Sequence, residues 1–129
     1  MLKRFSPPTV AAPFSNFSHG VVVPAGMRTL HVSGQVGAAP DGSIPDDPER
    51  QCRNAFANVL AILAAEGMGP ADLVAITTYA VSGQDIALVR RIRDEMLGGV
   101  PPASTFVYVS GLADPRLVVE VQAVAARAG

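Results

Sequence analysis

A single carboxylate, Glu120, interrupts an otherwise apolar run from Leu117 through Ala126. The run has the length and the branched side chains of a strand rather than of a surface helix. Side chains alternate along a strand, so Glu120 shares one face with Val118, Gln122 and Val124. A carboxylate among apolar neighbours costs free energy unless it is paired, hydrated or neutralised. Glu120 is therefore either a sheet-face charge in contact with water or an acid/base group in a cleft.

The chain has 129 residues, enough for one domain with one core, and residues 1–129 are read as a single unit. Residues 1–11, rich in Pro and Ala to residue 13, read as an extended N-terminal arm. Apolar residues make up 49% and charged residues 16%. A compact monomer of this length needs more charge than that to cover its surface, which predicts a homo-oligomer. The net charge of −1 gives no electrostatic footprint for nucleic acid or an anionic membrane. No stretch has the length of a membrane span, and the start lacks a secretory pattern, so the expectation is a cytoplasmic protein. Cys52 is the only cysteine, and with two histidines and no clustered carboxylates the chain offers no metal site.

Hydrophobic periodicity supplies the elements. Residues 17–23 read as a short strand, closed by the turn signal Pro24-Ala25-Gly26. Arg28–Val36 alternates, with Leu30, Val32 and Val36 on one face and Thr29, His31, Ser33 and Gln35 on the other. A helix follows, capped by Asp46 or Asp47, with Pro48 in its first turn and Gly67 at its end. Cys52, Ala55, Phe56, Val59, Ile62 and Leu63 form its apolar stripe. Leu73–Val81 is a strand. Ser82 and Asp85 resemble a capping pair for a second helix with Ile86, Val89, Ile92 and Met96 inward, and Gly98-Gly99 ends it. Arg90, Arg91 and Arg93 read as a solvated face of that helix. Strands over residues 105–110 and 117–126 complete the order β-β-α-β-α-β-β. One sheet with both helices on one face is the economical α+β arrangement, and self-association would cover its other face.

Several ordered segments carry a resemblance. They are Ala12-Pro13-Phe14-Ser15-Asn16, Val32-Ser33-Gly34-Gln35-Val36, the helix with Asn58-Val59, the stretch from Asp72 to Tyr79, Pro102-Ala103, and Val119-Glu120-Val121-Gln122-Ala123-Val124-Ala125. Together they resemble the reactive intermediate (imine/enamine) deaminase family, the Rid or YjgF-like proteins. The resemblance implies a chorismate-mutase-like α+β fold and a homotrimer with a central barrel and ligand clefts between subunits. It also implies hydrolysis of 2-imino acids to 2-oxo acids and ammonia without a cofactor. In that chemistry a glutamate positions or activates water, and an arginine clamps the substrate carboxylate.

Glu120 matches the glutamate, and Ser33 and Gly34 match the strand end that lines the cleft. Ser104 stands where the arginine belongs, followed by Thr105 and Phe106, while Phe14 replaces a tyrosine. A serine cannot form the charged fork, and losing such a partner in a desolvated cleft costs about 2–5 kcal/mol. The expectation is an imine/enamine-type hydrolase of altered specificity. Glu120 would be the catalytic group, and Phe14, Ser33, Gly34, Ser104, Thr105 and Phe106 the substrate contacts, with Tyr108 offering a further ring. Arg90 is the first candidate for a substitute cation, ahead of Arg53 and Arg116. The alternative is a non-catalytic metabolite-binding or regulatory trimer.

Overall fold

A computed structural model describes residues 1–129. Its elements are β1 (Lys3–Phe5), β2 (Gly20–Val22), β3 (Arg28–Val36), α1 (Pro48–Ala65), β4 (Leu73–Val81), α2 (Ile86–Met96), β5 (Ala103–Val109) and β6 (Val119–Arg127), with a single 3-10 turn at Pro70–Asp72. The main sheet has the order β3-β6-β4-β5. Only the β4–β5 pair is parallel, because α2 provides the crossover between them.

The core lies between this sheet and the helices. Along β6, Val119, Val121, Ala123 and Ala125 are buried, and they meet Cys52, Phe56, Val59 and Leu63 of α1. Asp47 caps α1 by accepting a hydrogen bond from the Glu49 backbone N–H, and Gly67 leaves the helix at a φ of 71°. Gln51 is a buried polar residue with every group used. Its amide donates to the Pro45 and Arg116 carbonyls and accepts from the Val118 N–H, tying the loop before α1 to the entry of β6.

Three expectations are corrected. The N-terminal arm is not simply extended, because Lys3–Phe5 pairs antiparallel with Gly20–Val22. Phe5 lies over Gly20, where a Cβ would meet the ring at 2.7 Å, and Arg4 donates to the Ala71 and Leu73 carbonyls. The first expected strand thus forms a separate two-stranded ribbon outside the main sheet. Next, Ser82 does not cap α2. Gly83, at a φ of 99°, turns the chain so that Asp85 is the cap, accepting from the Ala87 N–H.

The third correction concerns β3. Val32 pairs with Ala123 and Gln35 with Val121, so β3 carries one residue more than β6 over that interval. This bulge at Ser33-Gly34 inverts the alternation. Gln35 now shares a face with Val121, and Val36 shares one with Glu120, the reverse of the sequence pattern.

The apolar contact between α1 and β6 sets the stability. Leu63 is fully buried, so Leu63→Ala should lower the unfolding free energy by about 2–5 kcal/mol. Removing the cap with Asp47→Ala should cost about 1 kcal/mol. Urea titrations followed by circular dichroism compare the two. A smaller loss at Leu63 than at Asp47 would mean that α1 is held by its cap rather than by its apolar face.

Candidate functional site

Cross-strand register divides the candidate residues into two groups. Glu120 lies opposite Tyr79 on β4 and Val36 on β3, on the sheet face away from the helices. It is half-buried. Its side chain crosses directly over Gly34, where a Cβ would overlap the carboxylate and come within 3.0 Å of Cγ. The bulge therefore needs glycine for close approach, not for an unusual φ. No ion pair of the chain engages Glu120. Tyr79 donates to Gln122 Oε1 at 2.8 Å on the same face, and Ser33, His31 and Thr105 are exposed there.

Ser104 and Phe106 lie on the other face. They pair with Ile76 and Thr78, whose side chains are buried under the helices. Together with Phe14, Phe17, Arg90 and Arg93 they line a cavity of about 180 Å³ between α2 and β5. Phe106 stacks edge-on against Tyr108 at 5.1 Å, and the Tyr108 hydroxyl donates to the Gln84 carbonyl. Phe14, at 86% exposure, hangs at the cavity mouth.

The arginines of α2 do not form one solvated face. Arg91 is exposed and pairs with Glu49 and Glu95. Arg93 is buried, with 6% exposure. Its Nε donates to Asp94 Oδ1 at 3.0 Å, while its buried Nη2 has no partner. Arg90 takes part in none of the ion pairs and lines the same cavity. Arg53 is bound to Glu49 and Glu95, and Arg116 to Asp114, so neither is free. The Arg116 guanidinium holds the Asp114 carboxyl down at about 2. Sequence reading missed Arg93, although it falls four residues after Val89 and three before Met96, within the inward stripe.

Other concave regions carry less chemistry. The largest, about 420 Å³, is lined by Met1, Leu2, Met27 and Ala126, and its two charged side chains, Asp72 and Arg127, pair with each other. No group of three or more His, Cys, Asp or Glu side chains is placed to hold a metal. No helix is long and apolar enough to cross a membrane.

A family model described as "Endoribonuclease L-PSP" matches residues 8–127. The chain belongs to the Rid (YjgF-like) family. Among similar proteins, "Protein DfrA" of Myxococcus xanthus is 33% identical over 112 residues, 84% of this chain and 83% of that protein. TdcF of Escherichia coli, which bears the provisional name of a reactive intermediate deaminase, is 30% identical over 103 residues, 76% of this chain and 78% of its own. The crystal structure of the Rid protein YyfB from Yersinia pestis superimposes with a TM-score of 0.84 at 34% identity, covering 96% of this chain and 97% of that one. A TdcF structure with bound serine gives 0.71 at 25% identity, over 98% and 99% of the two chains. The mixed fold of two helices on a four-stranded sheet is thus the Rid fold.

Cys52 is no nucleophile in this arrangement. It is buried under the sheet, and burial pushes its thiol up to about 12 from 9.0. The folded state therefore keeps its proton at a pH where the unfolded chain loses it. Stability from this group is whole below about pH 9 and is lost as pH rises toward 12, by about 1.4 kcal/mol per pH unit. Chemical denaturation from pH 9 to 11 should approach this slope in the parent and show a shallower one in Cys52→Ala.

Proposed function

We propose that this Rid protein is a cofactor-independent hydrolase of the imine/enamine type, with a specificity of its own, acting as a homotrimer. The observation that carries the reading is the Glu120 carboxylate, lying over Gly34 with no ion pair to hold it. A half-buried carboxylate with free oxygens can accept a proton from water and orient that water's lone pair. The water oxygen adds to the C=N carbon, the π pair goes to nitrogen, and nitrogen takes the proton. The carbinolamine hydroxyl then passes its proton to nitrogen, and as the C–N bond breaks ammonia leaves and the oxygen lone pair closes the carbonyl. No electron acceptor is needed. The reactive intermediate deaminase name of TdcF, carried over as a class of chemistry, points the same way.

The two groups of candidate residues argue for a shared site. Glu120 is on the open face of β6, beside edge strand β3, and Ser104 and Phe106 are on the helix face of the opposite edge strand, β5. One copy cannot place both around a small molecule. Neighbouring copies, meeting through the uncovered sheet face, could complete the cleft from both sides. The half-buried Val118 and Val124 and the exposed Val107 on that face favour such a contact. A net charge of −1 favours a small substrate over RNA.

Glu120→Gln should lower ammonia release from freshly generated imines by about 100-fold or more, without changing the oligomer. Light scattering after gel filtration should give three times the 13.3 kDa chain mass for both. Turnover that survives Glu120→Gln would remove the mechanism. Binding without turnover across the imine panel would make the protein a metabolite-binding trimer instead.

Gly34→Ala tests the close approach separately. The added methyl displaces the flexible end of Glu120 rather than backbone, so the melting temperature should hold within a few degrees. Ammonia release should fall roughly 100-fold, the usual result of moving a reacting group by about 1 Å.

A further inference from the structure

Beyond Val32, the register of β3 runs against its own apolar pattern. A regular ladder continued from the Val32–Ala123 pair would set Gly34 opposite Val121, Gln35 opposite Glu120 and Val36 opposite Val119. Val36 would then lie under the helices with Val119 and Val121, as the alternation of Leu30, Val32 and Val36 favours. Gly34 would turn to that same face, away from Glu120. The bulged register instead sets Gln35 opposite Val121 and Val36 opposite Glu120. Pairing with β6 does not by itself select this arrangement.

Helix α1 supplies the selection. Gln51, Asn54 and Asn58 are spaced three and four residues apart, on one side of the helix. Asn58 Nδ2 donates to the Val36 and Ala38 carbonyls at 3.1 and 3.0 Å, and Asn54 Nδ2 donates to the Gly37 carbonyl between them at 3.1 Å. Successive carbonyls at the end of β3 are thereby tied to the helix. Gly37 also presses on the helix backbone, since a Cβ there would meet Gln51 Cα at 2.6 Å. Within the bulge, the Ser33 carbonyl accepts from Gln35 Nε2 at 3.1 Å. Sliding β3 into the regular register moves each tied carbonyl by roughly 3.3 Å, out of reach of its amide.

We propose that Asn58 and Asn54 are positioning residues for Glu120. They hold the Val36–Ala38 carbonyls, the held carbonyls keep the bulge, and the bulge keeps Gly34 beneath the carboxylate. Neither amide bonds to Glu120; both act from the helix side of the sheet. The inference rests on the hydrolase reading for its effect on turnover, and on geometry alone for its effect on register.

Two measurements on the full chain test it, with Asn58→Asp at pH 8 as the first variant. An ionised carboxylate has the shape of the amide but no proton to donate to the two carbonyls. Cross-strand proton contacts in NMR report the register. In the parent, Glu120 should contact Val36, and in Asn58→Asp that contact should pass to Gln35. Ammonia release from freshly generated imines should show kcat lowered roughly 30-fold, within the range expected for a small displacement of a reacting group, with KM within about twofold of the parent. Asn58→Gln, which keeps the amide on a longer stem, should recover part of the rate. Asn58→Ser keeps one donor and adds no charge, so it serves where the carboxylate prevents folding, and it should show the same changes in part.

An asparagine with a merely structural role would lower the melting temperature and leave both the contact and kcat of the folded protein as they were. A Glu120 contact that stays on Val36 in Asn58→Asp and Asn58→Ser would overturn the proposal, whatever happens to turnover. A contact that moves to Gln35 while kcat holds, or in a protein with no imine turnover, would keep the anchor and discard the mechanism proposed for Glu120.

Discussion

The burial of one side of β6 beneath α1 decides how this molecule is arranged. Val119, Val121, Ala123 and Ala125 all face the helix, and none is more than 3% exposed. Strand alternation then sends Val118, Glu120, Gln122 and Val124 to the opposite face, whatever the cost to the carboxylate. Because β6 lies in the interior of the sheet, its register also fixes that of β3 and β4. The position of Glu120 is a consequence of core packing, and the open face around it has no cover within the chain.

Much of this was legible in the residues. The β4 strand has the expected bounds, and the branched run ending in Ala126 is a strand, because apolar periodicity reports directly on burial. Gly34 stood out as part of a strand end, but the carboxylate that crosses it was not legible. The bulge was invisible for a physical reason: an extra residue leaves the local composition unchanged and appears only when two strands are aligned. The ribbon formed by Lys3–Phe5 was hidden likewise, since three-residue strands have no measurable period.

Arg93 shows the opposite limit. Three arginines within four residues read as hydrated surface, and for Arg91 that is correct. Helical geometry nevertheless turns Arg93 inward with Val89 and Met96, where its aliphatic stem can pack while its head reaches the cavity. Ser104 lines that cavity as well.

The pairing of Arg28 with Arg127 has a consequence for how the chain comes to its folded state. Strand β3 finds its only partner in β6, after most of the chain has intervened. Closing so long a loop carries an entropic cost before any ladder bond repays it. The helices and the β4–β5 unit can organise early, but the backbone edge of β3 must wait unpaired until residues 119–127 have been made. Folding should therefore be slow for a domain of this size, and the waiting edge is where self-recognition between unfinished chains would begin.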